Sequence, residues 1–205
     1  MASKDRIQRL KDETRVNILD ASLHIVKEEG WQALSMRKIA DVIEYTAPII
    51  YEYFANKEAI LLELTRRGYL ILSRNLQEAK AQHHLPAKQL EAMWLAYWNF
   101  AFDNKELYQL MFGVEMNCCC DLVENLPESE NPFIQFSEVI VDVMGVENPP
   151  KDTICLKYYT FWSVVHGLIS INILRRGYSD DMNRQVLKDA ISSIIRSIER
   201  ERQRV

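Results

Sequence analysis

Apolar residues recur at helical spacing along almost the whole chain. Val16, Leu19, Leu23 and Val26 lie 3, 4 and 3 apart, one stripe of a helix predicted from Asp12 to Glu29. Gly30 suits the left-handed residue that stops it. Ser35 is placed to cap a short second helix whose buried face is Met36, Ile39, Ala40 and Ile43. After Glu44-Tyr45-Thr46, Thr46 is placed to cap a third short helix with Pro48 in its first turn. Asn56 then caps a fourth helix from Lys57 to about Gln82, with Ile60, Leu61, Leu64 and Ile71 inward.

Beyond His83-His84-Leu85-Pro86 the pattern stays helical but the residues grow larger. Trp94, Trp98, Phe102, Met111 and Phe112 crowd the next two helices. A polar loop is predicted from Cys120 to Pro132, then a helix from Pro132 to Met144. A helix from Asp152 to Arg176, apolar nearly all round, follows, and Ser179 caps a last one. Val139–Val146 and Leu168–Leu174 carry strand-like residues, yet each continues a helical pattern and no other strand offers a partner. The fold class is therefore all-α, with about nine helices.

The chain has 205 residues, 48% of them apolar and 26% charged, which excludes a disordered or low-complexity chain. Six Gly and six Pro are too few for a β-sandwich. No uncharged apolar run reaches 18 residues, so no membrane span is expected, and the N-terminus lacks a secretory pattern. Three of the four cysteines are consecutive, Cys118 to Cys120, which is neither a disulfide framework nor metal-ligand spacing. A cytoplasmic protein with reduced thiols is expected.

Charge divides the chain. The net charge is −4, but residues 1–68 carry 11 Lys/Arg and 11 Asp/Glu, so the acidity lies entirely beyond them. Arg37, Lys38 and Lys57 mark helix starts, where phosphate contact is favoured. Two short helices joined by a three-residue turn, beside an amphipathic first helix, form a helix-turn-helix unit.

Gly30-Trp31-x-x-Leu34-Ser35-Met36-Arg37-Lys38-Ile39-Ala40, followed by Ile50-Tyr51-x-Tyr53-Phe54-x-Asn56-Lys57-Glu58-Ala59-Ile60-Leu61, resembles the DNA-binding domain of the tetracycline-repressor (TetR) family over residues 14–64. Trp162-x-x-x-His166-Gly167 is similar to a Trp-His-Gly motif in the C-terminal domain of one branch. The resemblance implies a DNA-binding head over residues 1–58, and a ligand-binding, dimerising body over 59–205. It implies phosphate contacts from Ser35, Thr46, Tyr51 and Lys57, a phosphate or guanine contact from Arg37, and Ala47, Pro48, Ile49 and Tyr53 in the major groove. Apolar residues in that segment suit thymine methyls, so half-sites rich in A·T are expected. Most members place Ala-Gly where this chain has Ile43-Glu44, the Gly easing a positive φ.

Trp94, Trp98, Phe102, Met111, Phe112, Tyr158, Phe161 and Trp162 either fill a core or line a cavity for an apolar or aromatic effector. Val165, Ile169, Ile173, Ile191, Ile194 and Ile198 are the expected faces of a symmetric homodimer. No Ser-His-Asp set, Gly-rich phosphate loop or HExxH is present, so neither catalysis nor a cofactor or metal is expected. The function expected is a regulator, a repressor released from a palindromic duplex operator by its effector. An all-α carrier or enzyme using the aromatic residues, and a helical protein-interaction module, are the alternatives.

Overall fold

The computed structural model describes residues 2–113, 126–174 and 179–202. Among them are nine α-helices and one 3₁₀ turn, and no strand. The helices are α1 (Ala2–Glu29), α2 (Met36–Val42), α3 (Ala47–Tyr53), α4 (Lys57–Ala81), α5 (Pro86–Asp103), α6 (Lys105–Phe112), α7 (Pro127–Met144), α8 (Lys151–Leu174) and α9 (Asp180–Arg202). Trp31–Ala33 forms the 3₁₀ turn. The all-α expectation holds: of the two strand-like segments, Leu168–Leu174 is helical throughout and Val139–Val146 as far as Met144.

Three predicted boundaries or faces move. α1 begins ten residues earlier than its apolar stripe suggested: residues 4–13 are exposed, and local pairs such as Gln8 Nε2 to Asp12 Oδ1 at 2.9 Å support the helix. Its buried face is Ile18, Leu19, Ile25 and Val26, while Val16 is exposed and Leu23 half-buried. α7 starts at Pro127, so residues 127–131 are helical where a loop was expected, and Pro132 lies inside the helix. Cys118–Cys120, Arg175, Arg176 and Gly177 lie outside the described residues.

The chain forms two compact units. The first comprises the described residues up to Gly68 together with those of α6 from Glu106. α1 packs on α2, and α2 on α3. Ile18, Ile39, Ile50, Ile60 and Leu64 have no exposed surface and form its centre. In the same unit α4 and α6 approach closely: a Cβ at Gly68 would stand 2.5 Å from Met111 Sδ.

The second unit runs from Tyr69 to Lys105 and from Pro127 onward. α5, α7, α8 and α9 pack on one another there. Its core holds Leu72, Leu90, Phe100, Phe136, Val139, Phe161, Val165, Ile169 and Leu187, all fully buried.

Candidate nucleic-acid interface and effector region

Within the first unit, α2 and α3 are held by their ends. Ser35 caps α2, its Oγ accepting from Lys38 N at 3.2 Å. At the other end, Ile43 N donates to Ile39 O, and Tyr45 N to Ala40 O at 2.9 Å, a six-to-one closure across the end of the helix. The residue between them, Glu44, has φ 59, the left-handed conformation usually given to Gly. The turn therefore has the positive φ that the resemblance assigns to Gly, with a side chain carrying the strain. Thr46 starts α3 but makes no side-chain cap; its carbonyl accepts from Ile49 N instead. Asn56 caps α4 through Oδ1, accepting from Ala59 N at 2.9 Å.

The nine residues expected at DNA all keep accessible surface. Ser35, Arg37, Thr46, Pro48 and Tyr51 are exposed, and Ala47, Ile49, Tyr53 and Lys57 are half-buried. The residues expected in the core behave differently: Met36, Ile39, Ile50 and Phe54 are buried. Ile43, at the C-cap, is half-buried. Alternate faces of two-turn helices thus separate cleanly into core and presented surface. Lys57 already has one partner, donating from Nζ to the Trp31 carbonyl at 3.1 Å.

Of the eight aromatic and Met residues, Met111 and Phe112 belong to the first unit and the other six to the second. Met111 packs against Gly68 in the first unit, and Phe112 rings with Tyr108 at 5.0 Å. In the second unit Trp94 lies between Phe136 and Phe161, with ring centroids at 4.0 and 5.4 Å, and Tyr158 is 6.0 Å away. Trp94 is fully buried, yet its indole Nε1 has no hydrogen-bond partner among the described residues. Burial pushes the Tyr69 phenol up to about 12, and raises Tyr158 further, with the neighbouring Tyr159 and Tyr69 adding to it. Trp162 donates to Tyr97 Oη at 3.2 Å and stacks on His166 at 4.5 Å, and burial holds the His166 imidazole below its ordinary value. Trp98 and Phe102 pair at 4.7 Å and line a cleft of about 220 Å³. Its other walls are polar: Asn99, Asp103, Asn172, Asp180, Asn183 and Arg184.

Comparison with known proteins decides the family. The model for the "Bacterial regulatory proteins, tetR family" matches residues 18–64, and that for the "Tetracyclin repressor-like, C-terminal domain" matches residues 90–192, half of the chain. The chain belongs to the tetracycline-repressor family. It is accordingly a DNA-binding, ligand-responsive transcriptional regulator, a class that is not enzymatic. The HTH-type transcriptional regulator BetI of Paraburkholderia phytofirmans is 24% identical, over 58% of this chain and 73% of that protein. A Rhodococcus sp. RHA1 protein of unknown function shares the fold, with a TM-score of 0.73 at 19% identity over 89% of this chain and 94% of that one. So does Thermus thermophilus FadR, solved with lauroyl-CoA, with a TM-score of 0.60 at 16% identity over 90% and 92%.

For a TetR-family chain the dimer face matters, and here burial redraws the sequence expectation. Val165, Ile169, Ile191 and Ile198 are buried in the chain's own core, so they have no surface to give a partner; Ile173 and Ile194 are half-buried. The apolar residues that α8 and α9 turn outward are Leu156, Tyr159, Val164 and Ile171, with Met182 and Val186. Gly167 belongs to the outward stripe of α8, since a Cβ there would meet nothing within 4 Å. Tyr159 follows Leu156 by three residues and Ile171 follows Val164 by seven, helical spacings that a helix apolar on both sides hides. Among the described residues no helix is long and apolar enough to cross a membrane, and no cluster of His, Cys, Asp and Glu could hold a metal.

Proposed function

We propose that this regulator is a cytoplasmic homodimeric repressor that binds a palindromic operator and leaves it when an apolar or aromatic small molecule binds its body. Residues 1–58 read the DNA and residues 59–205 dimerise and sense. The observation that carries the DNA contacts is the sorting of α2 and α3 described above: every expected contact is accessible, while their inner faces are buried. Ser35, Thr46, Tyr51 and Lys57 hold phosphates, Arg37 reaches a phosphate or a guanine edge, and Ala47, Pro48, Ile49 and Tyr53 face the major groove of A·T-rich half-sites. Dimerisation through the outward stripes of α8 and α9 sets the spacing of the two heads.

The effector reading rests on Trp94. A fully buried indole N–H without an acceptor is costly unless something else supplies the acceptor. An apolar molecule bearing one oxygen would stack in the Trp94–Phe136–Phe161 layer and accept from Nε1. The layer is closed without it, so the effector acts by favouring a second arrangement of the body.

The test is fluorescence anisotropy on a duplex enriched from a random pool, at several salt concentrations. Lys57→Ala should weaken all duplexes and reduce the salt slope by about one. Tyr53→Ala should change sequence preference instead. If both variants bind as the parent does, the contact assignment fails.

A further inference from the structure

We propose that Arg15 is a positioning residue that fixes the pose of the recognition helix α3 on DNA, without touching the DNA itself. Arg15 is one of the cations of α1, but its guanidinium is turned to the fold. Nη1 donates to the Tyr53 carbonyl at 3.2 Å, and Nη2 to Glu63 Oε2 at 3.1 Å. Its central carbon stands 4.3 Å from the centre of the Phe54 ring. One planar group thus joins α1, the end of α3 and the middle of the α4 segment that belongs to the same unit. The second carboxylate oxygen of Glu63 accepts from Arg66 Nη1 at 3.3 Å, which fixes the anchor in turn.

The chemistry at the end of α3 explains why a cation belongs there. Tyr53 is the last residue of α3, and the final carbonyls of a helix have no partner within it. They also form the negative end of its dipole. Phe54, the C-cap, is extended and buried, so the guanidinium lies on the residue where the chain leaves the helix. A helix of seven residues has little internal rigidity, and its direction is set by what grips its two ends. The Glu44 turn grips one, and Arg15 grips the other. Only arginine offers two diverging donors and a flat face together; lysine offers a point charge.

Stability and positioning separate here. The Arg15 side chain is 42% exposed, and surface ion pairs contribute little to stability. Its removal therefore leaves the melting temperature nearly unchanged, while a tilt of α3 misplaces every groove contact at once.

The experiment uses the full chain, a duplex enriched by the parent protein from a random pool, and a random duplex of equal length. Arg15→Met and Arg15→Lys should each weaken the enriched duplex about tenfold, the equivalent of one lost base contact, and the random duplex less than about twofold. The salt slope should stay that of the parent. Glu63→Gln, which loosens the anchor and leaves Arg15 in place, should show about a threefold loss of the same kind. Three results would overturn the proposal. Arg15→Lys binding like the parent would reduce the role to charge, and a slope lower by about one would make Arg15 a phosphate contact. Equal losses on both duplexes, tracking a lowered melting temperature, would make the role merely structural. The inference rests on the operator reading, and the two fail separately: if the parent enriches no duplex, that reading falls first.

Discussion

Glu44→Gly should make the protein more stable, although it removes a side chain and adds a flexible residue. Glu44 sits at φ 59 in the turn between α2 and α3, closed on either side by the Ile43 and Tyr45 amides. Holding an L-residue in that region costs roughly 1–2 kcal/mol, because Cβ crowds the following carbonyl. Glycine removes that cost but gives up roughly 0.5–1 kcal/mol through the greater freedom of the unfolded chain. The balance centres on a gain of about 0.75 kcal/mol, or about 1.5–3 °C in melting temperature for a chain of this size. Glu44→Ala is the control. It removes the same carboxylate but keeps Cβ, so it should gain nothing from relief of strain. Thermal unfolding of the three proteins, followed by far-ultraviolet circular dichroism at equal concentration, ranks them. Glycine no more stable than alanine would mean that the turn is not left-handed at residue 44, and the derived shape of the helix-turn-helix would be wrong.

Three further outcomes are expected. Trp94→Phe should stay within about 1 kcal/mol of the parent in denaturant titration, because the lost ring volume is offset by removal of an unpartnered donor, whereas Trp94→Ala should cost about 3–5 kcal/mol; a cost above about 3 kcal/mol for phenylalanine would mean that Nε1 is bonded. Val164→Glu, on the outward stripe of α8, should yield a folded monomer by sedimentation velocity, and a dimer that persists would remove α8 from the interface. The Tyr69 and Tyr158 phenols are held neutral by burial, so the folded state binds their protons more tightly than the unfolded one. Their contribution should be intact below pH 10, where free tyrosine titrates, and drain away as pH rises towards and past about 12, with Tyr69→Phe flattening the fall in unfolding midpoint.

The head was far more legible in the sequence than the body. Short polar caps such as Ser35 and Asn56 act within one turn, so spacing alone locates them, and the structure shows both bonds. The first turns of α1 were invisible because they bury nothing: Ile7 and Leu10 are exposed, and helical period is read from burial. Pro132 reads as the start of α7 because a first turn has no use for its missing N–H; it lies inside the helix instead, where one ladder hydrogen bond is lost. In α8, apolar residues on opposite sides serve the core and the outside alike, and only the fold separates Ile169 from Ile171. Arg15 could not have been found by pattern, since its partners lie 38 and 48 residues away. The cleft beside Trp98 and Phe102 likewise depends on side chains from α5, α8 and α9, which no local window brings together.

On the proposed function, two copies of this chain present α3 to successive turns of one face of duplex DNA. Sequencing the fragments that the purified protein retains from a random duplex pool at moderate salt puts this arrangement to the test. The expected result is an inverted repeat whose halves are centred about 10 base pairs, or a multiple of that, apart. Retention of no fragment at low ionic strength, or enrichment of a single asymmetric site bound by one chain, would contradict it.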